Sequence, residues 1–199
     1  MLQELFKKFN TSKKDHSYSK LYESDFKPMR QNKLNILEVG ILHGESIRAW
    51  LEYFPYATIY VIDTFERILP NDVSVLRNPY VNYAKLDSTS AECKQYFKDL
   101  GIQFDFIIDD GQHTPESQRL TFENLIEFTN NYYIEDVWNL DGDGIKNDFI
   151  ADQRIKNNNF TVEKWNALIQ SVNKQGRYIT HHDWRKTHKP DSYIIKIVK

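Results

Sequence analysis

With a single cysteine, Cys93, the 199-residue chain can hold no internal disulfide and no thiolate set for a structural zinc. Long apolar runs are missing too: nothing approaches the roughly eighteen consecutive residues of a membrane span. The opening Met1-Leu-Gln-Glu-Leu-Phe-Lys-Lys8 also lacks the apolar centre of a secretory signal. A cytoplasmic protein with no membrane partner is expected. Charge of one sign is equally scarce, with 26 Lys and Arg against 28 Asp and Glu. That balance provides no broad basic face, so no nucleic-acid partner is expected. Glycine is sparse as well, seven in all, yet two fall within one short stretch.

That stretch is Asn35-Ile-Leu-Glu-Val-Gly-Ile-Leu-His-Gly-Glu-Ser46, an apolar strand running into a carboxylate and two glycines before a helix. Gly40 and Gly44 can adopt backbone angles closed to other residues and let a ligand approach the main chain. The spacing E-x-G-x-x-x-G is neither a dinucleotide fingerprint nor a triphosphate-binding loop. Asp63, closing the next apolar run Ile59-Tyr-Val-Ile-Asp63, stands where a ribose diol would lie. Together they suggest an adenosyl ligand.

Apolar runs of strand length recur at Asn35 to Val39, Ile59 to Asp63, Val81 to Leu86, Phe104 to Asp109 and Tyr132 to Val137. Helical patterns lie between most of them, at Ser46 to Tyr53, Ser90 to Leu100 and Pro115 to Phe128, with a further one at Thr161 to Val172. This alternation predicts an α/β fold, a Rossmann-like doubly wound sheet that is mostly parallel. The last runs, Arg177 to Thr180 and Ser192 to Val198, have no helix between them and predict an antiparallel C-terminal hairpin. Cys93 falls in a helical pattern and is expected to pack.

In such a sheet ligands bind beyond the carboxyl ends of the strands. Every one of the first five runs ends in or near an acid: Glu38, Asp63, Asp87, Asp109-Asp110 and Glu135-Asp136. Asp110, Glu135 and Asp136 come from runs expected to be neighbours, and no basic residue is interleaved between them. Three converging oxygen donors call for a hard divalent cation, magnesium first, with manganese or calcium as alternatives. His113, on the turn leaving the fourth run, would lie within reach. An imidazole beside a metal-held hydroxyl can remove its proton and make an oxygen nucleophile. The competing reading has His113 cap the helix near Pro115 and the carboxylates pair with lysines.

Glu38-Val-Gly-Ile-Leu-His-Gly44, Asp63, Asp109-Asp-Gly-Gln-His113 and Ile134-Glu-Asp-Val137 resemble the class I S-adenosylmethionine-dependent methyltransferases. The likeness is to the metal-dependent macrocin and mycinamicin type that methylate sugar hydroxyls. The stretch Lys14 to Arg30, with His16, Tyr18 and Tyr22, is similar to that family's amino-terminal segment. The resemblance implies S-adenosylmethionine and Mg2+ as cofactors. Glu38, Gly40, Gly44 and Ser46 would frame the methionine end of the cofactor, Asp63 the ribose, Asp87 and Ser88 the adenine, and Asp109 the amino group. Asp110, Glu135 and Asp136 would hold the metal, with His113, or else a metal-bound aspartate, as base and Asp110 in the catalytic set. Residues 1–30 would form a helical lid and 31–199 the methyltransferase domain. The implied activity is O-methylation of a sugar or glycosylated small molecule. Alternatives are a catechol-type or other small-molecule methyltransferase, or a cofactor-binding partner of a glycosyltransferase that does not turn over. Relatives commonly assemble, so a homo-oligomer is compatible with an exposed strand edge.

The likeness fades after Val137. Asn139, Asp141 and Asp143 imitate a calcium loop, but its last position falls on Ile150 rather than a glutamate. An acidic loop shaping the acceptor pocket is the expectation for Trp138 to Asn159. His181 and His182, adjacent in an extended segment, would point to opposite faces, one of them bordering the acceptor.

Overall fold

A computed structural model of the chain describes residues 1–137, 162–189 and 191–199. The loop expected at 138–159, its calcium-like stretch and the start of the helix placed at Thr161 lie outside the described residues.

Seven strands form one sheet: β1 (Asn35–Val39), β2 (Thr58–Asp63), β3 (Val81–Lys85), β4 (Phe106–Asp109), β5 (Asn131–Ile134), β6 (Tyr178–Asp183) and β7 (Tyr193–Val198). Their order is β3-β2-β1-β4-β5-β7-β6. The first five are parallel, and β7 pairs antiparallel with both β5 and β6. The doubly wound sheet and its terminal antiparallel pair are thus as the sequence pattern predicts. Chain order reverses between β1 and β4, and the crevice opened there at the carboxyl ends is the natural place for a ligand.

Among the described residues six α-helices flank the sheet: α1 (Leu2–Lys8), α2 (Tyr18–Phe26), α3 (Glu45–Tyr53), α4 (Ala91–Leu100), α5 (Pro115–Leu125) and α6 (Val162–Lys174). Side chains along each central strand alternate between two cores. Ile36, Phe106, Ile108 and Tyr133 face α1, α2 and α3, whereas Leu37, Ile107, Tyr132 and Ile134 face α4, α5 and α6. Local chemistry fixes the helix starts. Ser90 accepts from the Cys93 backbone to open α4, and Thr114 and Ser117 cap α5 reciprocally with Pro115 at its first position. His113 is therefore not the cap. Among the described residues no helix is long and apolar enough to cross a membrane.

Trp50, fully buried on α3, anchors the first core. Phe6 and Tyr22 meet its ring edge-to-face at 5.3 and 5.5 Å. Cys93 is likewise fully buried, and burial pushes its thiol up to about 12. The folded protein is expected to be inert to a thiol-reactive disulfide reagent near pH 8 and to consume one equivalent once unfolded. Rapid native labelling would contradict this packing.

Candidate functional site

Two adjoining cavities open at the carboxyl ends of the strands, separated by the turn Gly40 to Leu42 that leaves β1. The first, about 320 Å³, is lined by Gly40, Asp63, Asp87, Ser88, Gly111 and Gln112. The Asp63 carboxylate accepts from the Ile41 N–H at 2.9 Å and the Phe65 N–H at 2.6 Å. These bonds fix its orientation and leave each oxygen a further lone pair for a ligand hydroxyl. Asp87 braces Thr89, and the Ser88 hydroxyl meets that of Thr121 at 2.8 Å.

The second cavity, about 410 Å³, is lined by Asn10, Ser46, Arg67, Asp110, His113 and Asp136, among others. His113 Nε2 stands 3.6 Å from Asp110 Oδ1 and 3.7 Å from Asp136 Oδ2. Its Nδ1 is buried without a hydrogen-bond partner. Six non-glycine residues have positive φ among the described ones, and four of them, Asn10, Leu42, His113 and Asp136, line this cavity. Strained backbone concentrated at one pocket is a mark of a site held in a required geometry.

The structure also places some expected site residues behind the cavity walls. Glu38 and Asp109 are buried and line neither cavity. Glu38 accepts from the Trp50 indole at 2.6 Å, and burial raises its carboxyl despite Lys13 beside it. Burial pushes Asp109 up to about 7, the facing His113 working against it. The two glycines also make room for the protein's own packing. A Cβ on Gly40 would stand 2.3 Å from the Asp110 carbonyl oxygen, and one on Gly44 would stand 2.5 Å from a Val75 methyl. Gly40 still borders both cavities; Gly44 borders neither.

Asp110, Glu135 and Asp136 do not converge as one open set, because a basic residue from far upstream stands between two of them. Lys13, from the short 3-10 turn Ser12–Asp15, puts its ammonium 2.5 Å from Asp110, 2.6 Å from Glu135 and 3.3 Å from Glu38. Burial works against that charge, but the three carboxylates outweigh it and hold the Lys13 pKa well above its ordinary value. The other Glu135 oxygen accepts from the Tyr22 hydroxyl. What remains open is Asp110, His113 and Asp136, whose donor atoms lie within 4.8 Å of one another. The two carboxylates suit a hard cation of the magnesium or manganese kind, with the imidazole beside them, so the oxygen donors fit the metal that the resemblance implies.

Asp136 is shaped from below. The Tyr18 hydroxyl lies 2.6 Å from its Oδ1 and accepts from its backbone N–H at 3.1 Å. His16 Nδ1 lies 3.7 Å from Asp136 and 3.4 Å from Asp191, and burial lowers its pKa to about 4. Tyr18 and Tyr22 are fully buried, and the part of the amino-terminal segment that borders a cavity is Asn10 to Asp15. His181 and His182 line neither cavity; His181 bonds Tyr193 and His182 stacks on Trp184. Lys13 and Asp191 escape sequence reasoning, although clustered carboxylates at the strand ends without a counter-ion were a signal that a cation had yet to be found.

No family model matches the chain. It is similar to an 8-demethyl-8-(2-methoxy-alpha-L-rhamnosyl)-tetracenomycin-C 3'-O-methyltransferase of Streptomyces olivaceus, 28% identical over 135 residues, 62% of this chain and 33% of that one. It is also 28% identical over 149 residues to the mycinamicin VI 2''-O-methyltransferase of Micromonospora griseorubida, covering 69% of this chain and 36% of the relative. The chain thus spans about a third of the length of the curated relatives it matches. Among solved structures, MycE methyltransferase from the mycinamycin biosynthetic pathway, in complex with Mg and SAH, superposes with a TM-score of 0.71 at 24% identity. That match covers 100% of this chain and 54% of the other. Fibrillarin from Aeropyrum pernix, with natively bound S-adenosyl-L-methionine, gives 0.63 at 15% identity over 92% of this chain and 76% of that one. The fold is that of the methyltransferases, and the likeness to sugar O-methyltransferases read from the motifs stands.

Proposed function

We propose that this chain is an S-adenosylmethionine-dependent O-methyltransferase acting on a hydroxyl of a sugar or glycosylated small molecule, assisted by magnesium. The observation that carries the reading is the pair of cavities sharing the Gly40 to Leu42 turn. One offers Asp63, Asp87 and Ser88 to a nucleoside; the other offers a histidine between two carboxylates. The named activities of the relatives support the sugar acceptor.

When bound, S-adenosylmethionine supplies the methyl group and a divalent cation supplies positive charge at the acceptor oxygen. Asp63 orients the nucleoside through its backbone-fixed carboxylate. Asp110 and Asp136 hold the cation, and a vicinal diol would present two oxygens to it. His113 Nε2 accepts the proton of the acceptor hydroxyl as the oxygen–carbon bond forms and the sulfur–carbon bond breaks. For Nε2 to accept, the buried Nδ1 carries the single proton of the neutral ring, and the flanking carboxylates offset the charge of the imidazolium that forms. The residues contribute chiefly positioning and electrostatic stabilisation.

Calorimetric titration of S-adenosylmethionine and S-adenosylhomocysteine, with and without magnesium, tests the reading. Micromolar-range binding is expected, weakened by about tenfold or more in Asp63→Ala, since a ribose would lose a charged acceptor. A folded sample that binds neither ligand would remove the proposal.

A further inference from the structure

Lys13 is a deeply buried cation beside the site that the reaction scheme leaves unused. Its side chain is 1% exposed; the ammonium donates to Asp110 and Glu135 and stands 3.3 Å from a Glu38 oxygen. One of those carboxylates, Asp110, is one a metal would draw on, and the other two, Glu135 and Glu38, are buried. Lys13 has no cheap way to leave. Withdrawing it would strand Glu38 and Glu135 as buried unpaired charges, which is strongly unfavourable. Its backbone is also held, because Thr11 caps the turn by accepting from the Lys13 N–H.

Resting on the reading of Asp110 and Asp136 as cation ligands, we infer that the Lys13 ammonium is a built-in competitor for the divalent cation, sharing Asp110 with it and lowering its affinity. An arriving cation meets a fixed positive charge a few ångströms away across Asp110. It can use Asp110 Oδ1 and Asp136 Oδ2 beside His113, while Glu135 stays with Lys13 and Tyr22. Lys13 thereby keeps the carboxylates ordered without metal and makes metal binding weaker than a bare acidic cluster would give.

The test is Mn2+ binding, read from the free-ion electron paramagnetic resonance signal, in the wild type, Lys13→Met and the double variant Lys13→Met with Glu38→Gln. The double variant removes one charge of each sign and so protects against a single variant that fails to fold. Tightening by about tenfold or more in the folded variants is expected, from removal of a close like charge at low local dielectric. A merely structural lysine predicts the opposite sign, because disordered carboxylates bind metal less well. Wild-type binding that is unchanged or weakened by the substitutions would overturn the inference and leave the cation reading standing. Absence of binding in the wild type and in every variant would remove both.

Discussion

Asp110→Asn is expected to lower methyl transfer by about a thousandfold or more while leaving S-adenosylhomocysteine affinity within about threefold. The substitution keeps the side-chain shape and removes the charge. Asp110 is partly exposed on the wall of the second cavity, and the nucleoside contacts lie in the first. Lys13 retains Glu38 and Glu135 after the change, so the buried ammonium is not stranded and the fold should persist. The lost charge acts twice on the chemistry, weakening the cation and leaving His113 flanked by Asp136 alone. Single-turnover rates, Mn2+ binding and S-adenosylhomocysteine calorimetry on the same preparation would decide it. Asp63→Ala should show the reverse pattern, with weak cofactor binding and Mn2+ affinity retained. Equal loss of both ligands in both variants would break the division of labour between the cavities.

Legibility in the sequence followed the range of the forces involved. Strand and helix positions came from hydrophobic periodicity, a local property. Observed strands therefore differ from the expected ones mostly by a residue or two at an end, as with Thr58–Asp63 and Val81–Lys85. Neighbouring strands β4 and β5 deliver Asp110 and Asp136 to one place because a parallel sheet aligns its carboxyl ends. Lys13 was hidden because the two carboxylates it donates to lie 97 and 122 residues away, and a lysine next to Lys14 in a polar stretch has the look of surface. The packing around the glycines was hidden because sequence shows that a Cβ is absent but not what occupies the space. Glu38 and Asp109 were placed at strand ends as expected, yet pleating turns them into the protein rather than toward the cavities.

The packing around Gly40 can be measured directly. Gly40→Ala should destabilise the protein by about 2–5 kcal/mol, combining the left-handed backbone penalty for a residue with Cβ and the cost of overpacking. Gly40 sits at φ +84, its N–H donating to Ile62 and the Asp110 N–H beside it donating to Val39. Both sides of the contact are therefore pinned by sheet bonds. A methyl placed 2.3 Å from the Asp110 carbonyl can be relieved only by moving the turn that carries Asp110 and His113. Gly101→Ala is the matched control. It ends α4 at φ +65, yet nothing lies within 4 Å of the added carbon, so only the backbone penalty of about 1–2 kcal/mol applies. Denaturant melts should separate the two variants, and only Gly40→Ala should also lose turnover in its folded fraction. Equal destabilisation with activity kept in both would show that the β1 and β4 turns do not bear on one another as closely as this contact requires.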